Sequence, residues 1–225
     1  FIEQNLQSES LGPIMEYSNN SAYKCFIGFG NSPSRYNCNI GNADVIYRKL
    51  DVTDHLACHN FLEELAGLNI KPDILINNAG SLVNKPFLET TAADLAEMLE
   101  SNVMSHFKII KATLPLMQSG SHIVNVGSMG GYQGSVKFTG LAAYSSSKAA
   151  LHTLSECLAF ELADKGIKVN CLALGSAQTE MLEAAFPGYE SPVMAFEMGK
   201  YIADFAKTGH KFFNGKILPV AVTTP

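Results

Sequence analysis

The chain has 225 residues, 47% of them hydrophobic and 16% charged, with a formal net charge of −5. That length and apolar content suit a substantial core, while the acidic balance, with no basic run longer than Arg48-Lys49, gives a nucleic-acid partner no electrostatic footprint. No apolar stretch approaches the roughly 18 residues of a membrane span, and Phe1 and its followers make no secretory signal, so the chain is expected to begin partway into a domain.

Short apolar runs alternate with longer segments of helical period. In chain order the pattern predicts a strand stub at Phe1-Ile2, a helix over 13–20, and strands over 23–29 and 43–50. A helix over 55–65, a strand over 73–77 and a long helix over 92–117 follow. Next come a strand over 122–126, a helix over 143–165, a strand over 167–173, a helix over 193–207 and a strand over 216–220. Each strand candidate is rich in Val, Ile, Leu or Phe and is bounded by Gly, Pro, Asn or Asp, as buried parallel strands are. Such alternation predicts an α/β fold: a Rossmann-like doubly wound parallel sheet with helices on both faces, as a single domain over 1–225. Residues 30–42 break the order, with turn chemistry throughout, and read as a loop. In the 143–165 helix, Leu151, Leu154, Cys157, Leu158, Glu161 and Leu162 form the stripe expected to face a core or a partner.

Cys25, Cys38, Cys58, Cys157 and Cys171 are odd in number and lack C-x-x-C spacing. Cys25, Cys157 and Cys171 lie in apolar runs, where Cys packs as a small core residue; a reduced, cytoplasmic setting is expected. His55 and His59 could set two metal ligands on one helix face. No Glu lies between them in a metalloprotease pattern and no third ligand is near, so a solvated first helical turn is the better reading and no metal is expected.

Tyr144 and Lys148 stand four apart at the start of a long predicted helix, which puts both side chains on one face. A free phenol has a pKa near ~10, and a nearby ammonium would pull it toward the working range of a proton relay. Ser128 follows an apolar run, so it sits at the carboxyl end of a strand, where open α/β sheets place their ligands. A Tyr–Lys pair alone is commonplace on helix surfaces. Here it is joined, in order, by Asp51-Val-Thr-Asp, Asn77-Asn78-Ala79-Gly80, Glu100-Ser-Asn102-Val-Met and Ile123-Val-Asn-Val-Gly-Ser128.

That combination resembles the short-chain dehydrogenase/reductase family over nearly the whole chain, most strongly over 51–179. The resemblance implies Ser128, Tyr144 and Lys148 as catalytic serine, tyrosine and lysine, with Asn102 completing the proton relay at a helix kink. It implies a hydride passed between a nicotinamide and a carbonyl carbon, with Tyr144 as acid or base. Lys148 would bind the nicotinamide ribose and lower the tyrosine pKa. Asp51 matches the acid beside the adenine ring, Asn78, Ala79 and Gly80 belong to the family's N-N-A-G, and Gly175 and Thr179 match residues at the cofactor after the sixth strand. Homodimers or homotetramers, packed through the 92–117 and 143–165 helices, are implied too.

Departures cluster at the cofactor. The family's T-G-x-x-x-G-x-G would correspond to 1–13, where Gly12 alone survives and Glu3 and Glu9 add negative charge. Gly28-Phe29-Gly30 reads as the end of a second strand and lacks a third glycine. No acid follows that strand, while Arg35 could meet a 2′-phosphate, so NADP is expected, with NAD as the alternative. The substrate-covering segment, 177–198, carries Met181, Leu182, Phe186, Tyr189, Val193 and Met194, read either as a surface for an apolar carbonyl compound or as ordinary packing. Two readings follow: a working reductase of a small-molecule carbonyl, or a non-catalytic relative with impaired cofactor binding that serves binding or assembly.

Overall fold

A computed structural model describes the backbone of residues 14–17, 25–29 and 44–47 and the full residues 50–222. The apolar runs become strands β1 (Ile14–Tyr17), β2 (Cys25–Phe29), β3 (Asp44–Tyr47), β4 (Ile74–Asn77), β5 (His122–Ser128), β6 (Lys168–Leu174) and β7 (Ile217–Val220). One sheet holds them in the order β3-β1-β2-β4-β5-β6-β7. From β2 to β7 all neighbours are parallel, with Phe29 level with Asn77 and Ser128 level with Leu174. Their carboxyl ends therefore line one edge.

The N-terminal part, expected to be atypical, is where the sheet departs from parallel pairing. Residues 13–20, read as helical, contain β1, which runs antiparallel to both β2 and β3. Only residues 18–24 separate β1 from β2, and a parallel partner needs a crossover of a dozen residues or more. So short a link leaves the antiparallel arrangement.

The helices are α1 (His55–Gly67), α2 (Ala92–Leu99), α3 (Ser105–Thr113), α4 (Ala142–Glu161), α5 (Glu180–Ala185) and α6 (Ala195–Thr208). Successive strand residues face opposite sides, and the two sides bury different partners. Leu75, Ile123 and Val169 pack with Phe61, Leu65, Ile109, Ile110 and Ala159 of α1, α3 and α4. Ile74, Val124 and Leu172 pack with Met198, Ile202, Phe205 and Ala206 of α6. Each fully buried Leu or Ile contributes about 2 kcal/mol.

Residues 92–117 are not one regular helix. A capping box starts α2, with Asp94 N donating to Thr91 Oγ1 (3.1 Å) and Thr91 N to Asp94 Oδ2 (2.8 Å). A π turn, Glu100–Met104, joins α2 to α3, and a 3-10 turn over Leu114–Leu116, with Pro115 in it, ends the run. The inward face of α4 also differs from its leucine stripe. Leu151, His152, Ser155, Ala159 and Leu162 are buried, Leu154 and Leu158 only partly, and Cys157 is exposed. Polar anchoring decides this rotation: Asn77 Nδ2 donates to Asn125 Oδ1 (2.8 Å), and Asn125 Nδ2 to Ser155 Oγ (2.9 Å). Buried polar groups must be paired, so α4 turns Ser155, not Cys157, to the sheet. Cys58 and Cys171 are buried; Cys38 and the side chain of Cys25 lie outside the described residues, as does Phe1-Ile2. Among the described residues no helix is long and apolar enough to cross a membrane.

Candidate active site

After β2 the chain turns toward the β3 edge, whereas after β4 it moves to β5 on the other side. The strand order thus reverses between β2 and β4, and ligands of open α/β sheets bind in the crevice outside such a reversal. β2 borders this crevice, with Gly28 and Phe29 level with Ile76 and Asn77. The strand that follows Gly12-Pro13, β1, is antiparallel to β2 and does not adjoin β4. Gly12 and Arg35 themselves lie outside the described residues. Asn78, Ala79 and Gly80 leave β4 at this crevice, Ser128 ends β5 beside it, and Gly175 follows β6.

Tyr144 sits in the first turn of α4, half-buried, with its hydroxyl near that of Ser128. Glycine makes this approach: a Cβ on Gly131 would lie 2.5 Å from the Ala149 backbone nitrogen, so only glycine lets the turn after β5 rest directly on α4. Ser128 Oγ also accepts from Gly130 N at 3.1 Å, which holds the hydroxyl at the strand end. Lys148, one turn on, is buried; its Nζ donates to Val126 O at 2.9 Å and stands 5.9 Å from the Tyr144 ring centroid.

Burial governs both groups. It pushes the Lys148 ammonium down to about 8, opposed by Cys171. It holds the Tyr144 phenol above its ordinary value, opposed by the Ser128 hydroxyl. The lowered phenol expected from a lysine one turn away is therefore corrected. Lys148 Nζ is engaged with Val126 O of β5, and burial is the largest influence on the phenol.

Asn102 lies fully buried in the π turn. Its Oδ1 accepts from Ser81 N (2.9 Å), while its Nδ2 donates to Ser81 O (3.0 Å) and Ser147 Oγ (3.0 Å). It ties the segment after β4 to the helix that carries Tyr144. Gly80 fits against this tie, since a Cβ there would lie 2.7 Å from Asn102 Oδ1 and 3.3 Å from Lys148 Nζ. Ser81, Ser147, Asn125 and the Val126 carbonyl were not legible as site residues in the sequence. Their sole signal was polar character within buried runs.

The remaining candidates spread along the rim. Gly175 N donates to Val220 O (2.8 Å), which joins the ends of β6 and β7. Thr179 caps α5, its Oγ1 accepting from Leu182 N at 3.2 Å. Asp51 is exposed, and bonds from Thr53 N (2.9 Å) and Thr53 Oγ1 (2.7 Å) hold its carboxyl below the usual range. Of the apolar residues in the covering segment, Val193 packs against the α6 core, Phe186 meets Phe138 edge to face, and Met181, Tyr189 and Met194 are exposed. His55 pairs with Glu100 and His59 with Glu63, each at 3.1 Å, so the two rings turn to different neighbours.

Over 138 residues the chain is 35% identical to the uncharacterized oxidoreductase YhdF of Bacillus subtilis (strain 168), covering 61% of this chain and 47% of that protein. Over 141 residues it is 38% identical to the L-2,3-butanediol dehydrogenase of Corynebacterium glutamicum, covering 61% and 54%. The chain spans about half the length of the curated relatives it matches. It is similar to the crystal structure of a short chain dehydrogenase from Burkholderia cenocepacia J2315 in complex with NADP, with a TM-score of 0.68, 26% identity, and 77% of this chain and 74% of that one covered. The sequence model described as short chain dehydrogenase matches residues 32–190, which is most of the chain. On that match the chain belongs to the short chain dehydrogenase family.

Proposed function

We propose that this protein is a nicotinamide-dependent oxidoreductase that transfers a hydride between the cofactor and a carbonyl or alcohol substrate, with Tyr144 as the general acid or base. The observation that carries the reading is the buried Lys148 ammonium 5.9 Å from the Tyr144 ring, with the Ser128 hydroxyl near the phenol at the end of β5. A phenol held above its ordinary pKa is protonated at neutral pH, the state a proton donor to a carbonyl needs. Ser128 orients the carbonyl oxygen, Tyr144 gives it a proton, and Asn102 keeps the β4 and α4 sides of the crevice in register. An ammonium has three N–H donors; Lys148 spends one on Val126 O, and the others suit ribose hydroxyls. The nicotinamide supplies or accepts the hydride. NADP is favoured by the bound cofactor of the Burkholderia relative and by Arg35, which follows β2 in the sequence; NAD is the alternative.

Calorimetric titration of NADPH and NADH tests this. NADPH is expected to bind, and its affinity to fall about tenfold from pH 7 to pH 9 as Lys148, near 8, loses its charge. No binding of either nucleotide at millimolar concentration would overturn the proposal. That result would favour the second reading, a non-catalytic relative with impaired cofactor binding. Its support is the sequence leaving β2, Gly30-Asn-Ser-Pro-Ser-Arg35, which offers a single glycine where a diphosphate would approach the backbone.

One sheet joins the seven strands of the described residues and supports a single domain over 1–225. Free Cys58, Cys157 and Cys171 support a reducing, cytoplasmic compartment. The partners expected are a small-molecule carbonyl or alcohol and a second copy of the chain, not a nucleic acid or a membrane. Phe107 on α3 is 41% exposed and Phe160 on α4 is 88% exposed. Apolar rings so placed suit packing of these helices between two subunits. Light scattering is expected to give a dimer or tetramer; a monomer at micromolar concentration would refute the assembly.

A further inference from the structure

Helix α3 turns one polar ring fully into the core. His106 has no exposed surface, and its Nε2 lies 2.7 Å from the carbonyl oxygen of Ala79. A carbonyl can only accept, so Nε2 carries the proton. Nδ1 is then bare, and it is buried with no hydrogen-bond partner among the described residues. Burial, with Lys148 adding to it, pushes the ring down to about 3, so it is neutral through the working range. An unpaired buried acceptor costs about 1–3 kcal/mol. Leucine at this position would avoid that cost, and all that it would forfeit is the bond to Ala79.

That bond fixes one peptide. In a trans peptide the carbonyl and the following N–H point to opposite sides. With the Ala79 carbonyl turned onto α3, the Gly80 N–H is turned away from it. Asn102, one helical turn before His106, holds both backbone groups of Ser81. Residues 79–81 are therefore clamped at three points by one helix face, at the crevice where the strand order reverses. Gly80 itself has no room to shift toward that face, because Asn102 Oδ1 and Lys148 Nζ stand against it.

We infer that His106 is a positioning residue for the nicotinamide dinucleotide: its Nε2–H bond to Ala79 sets the Ala79–Gly80 peptide so that the Asn78–Gly80 turn meets the ligand already formed. This rests on the oxidoreductase reading above. A turn ordered before binding leaves less entropy to be lost on binding, so the effect falls on affinity.

The test is NADPH titration by calorimetry on the full chain, with His106→Gln, His106→Asn and His106→Leu beside the wild type, and thermal melting of each without ligand. The Gln amide nitrogen reaches the place of Nε2, whereas that of Asn reaches only the place of Nδ1. His106→Gln is expected to bind within about threefold of wild type, and His106→Asn and His106→Leu at least about tenfold more weakly. Should His106→Leu not fold, the Gln–Asn contrast carries the test. Equal affinity in Gln and Asn variants, or affinity that tracks melting temperature rather than the donor, would overturn the inference. Wild type that fails to bind NADPH overturns the cofactor reading itself, a separate result from weakened binding in the variants.

Discussion

Tyr144→Phe is expected to lower kcat between about a hundredfold and ten-thousandfold while NADPH affinity stays within about twofold. The substitution keeps the ring, its packing and the backbone of α4, and removes a single oxygen. Lys148 keeps its bond to Val126 O, and the Gly130–Ser128 bond is untouched. What disappears is the hydroxyl beside Ser128 that is able to pass a proton at the strand end. Steady-state rates, set beside a calorimetric affinity, separate the two effects. Wild-type turnover in the variant would remove Tyr144 from the chemistry, and a matching loss of affinity would make it a binding residue instead.

Acid should unfold this protein early. Three histidines are buried and neutral, and burial is the first cause in each: His106 is pushed to about 3, His122 to about 4 and His152 to about 4. In the unfolded chain all three return to about 6.5. Between these values the unfolded state binds more protons than the folded one, so stability rises with pH and is lost as pH falls below 6.5. At ~1.4 kcal/mol per proton per pH unit, the three together remove roughly 3 kcal/mol between pH 6 and pH 5. Since a whole domain is stable by about 5–15 kcal/mol, that loss is about a fifth or more of the total, and the melting temperature should fall steadily toward pH 5. Their burial is nearly complete, with His152 the most exposed at 6%, so solvent screening takes little from this. Asp51 and Asp94, both held low by hydrogen bonds, lose stability in the same direction at lower pH. Circular dichroism melts at pH 7, 6 and 5 check the slope, and an unchanged melting temperature across them would refute it.

What could be read from the sequence was what the chain writes locally. β4 to β7 were legible within about a residue because each is a continuous apolar run closed by turn residues, and Ser128, Tyr144 and Lys148 came with them. β1 was misread because Ile14-Met-Glu-Tyr17 is too short to show a period. Its pairing is set by the short connection to β2, not by its own side chains. The place of β2 beside β4 is likewise a fact of topology, which no local pattern carries. The reading of Cys157 as a small core residue failed for a related reason. Helix periodicity counts apolar residues, and here a buried amide and hydroxyl, Asn125 and Ser155, fix the rotation. The role of Lys148 as a charge beside Tyr144 was overstated because spacing gives a separation along a helix but says nothing of how much water has been removed.

The π turn at Glu100–Met104 has one more consequence, which concerns insertions and deletions. Asp94, Met98, Asn102, His106 and Ile110 are all buried, at intervals of four residues. On a straight α-helix, at 100° per residue, such a series would wander about 160° around the axis and take its ends off the sheet. The bond from Ser105 N back to Glu100 O closes a turn with one residue more than the α-helical count, and so takes back most of that drift. Removing a single residue from 100–104 would let the ladder close as regular α-helix, since the wide turn exists to absorb one residue. Everything past the seam, His106 and Ile109 included, would keep its present direction, whereas a deletion outside 100–104 would turn it by about 100°. Where ladder regularity and side-chain register compete in this helix, register prevails.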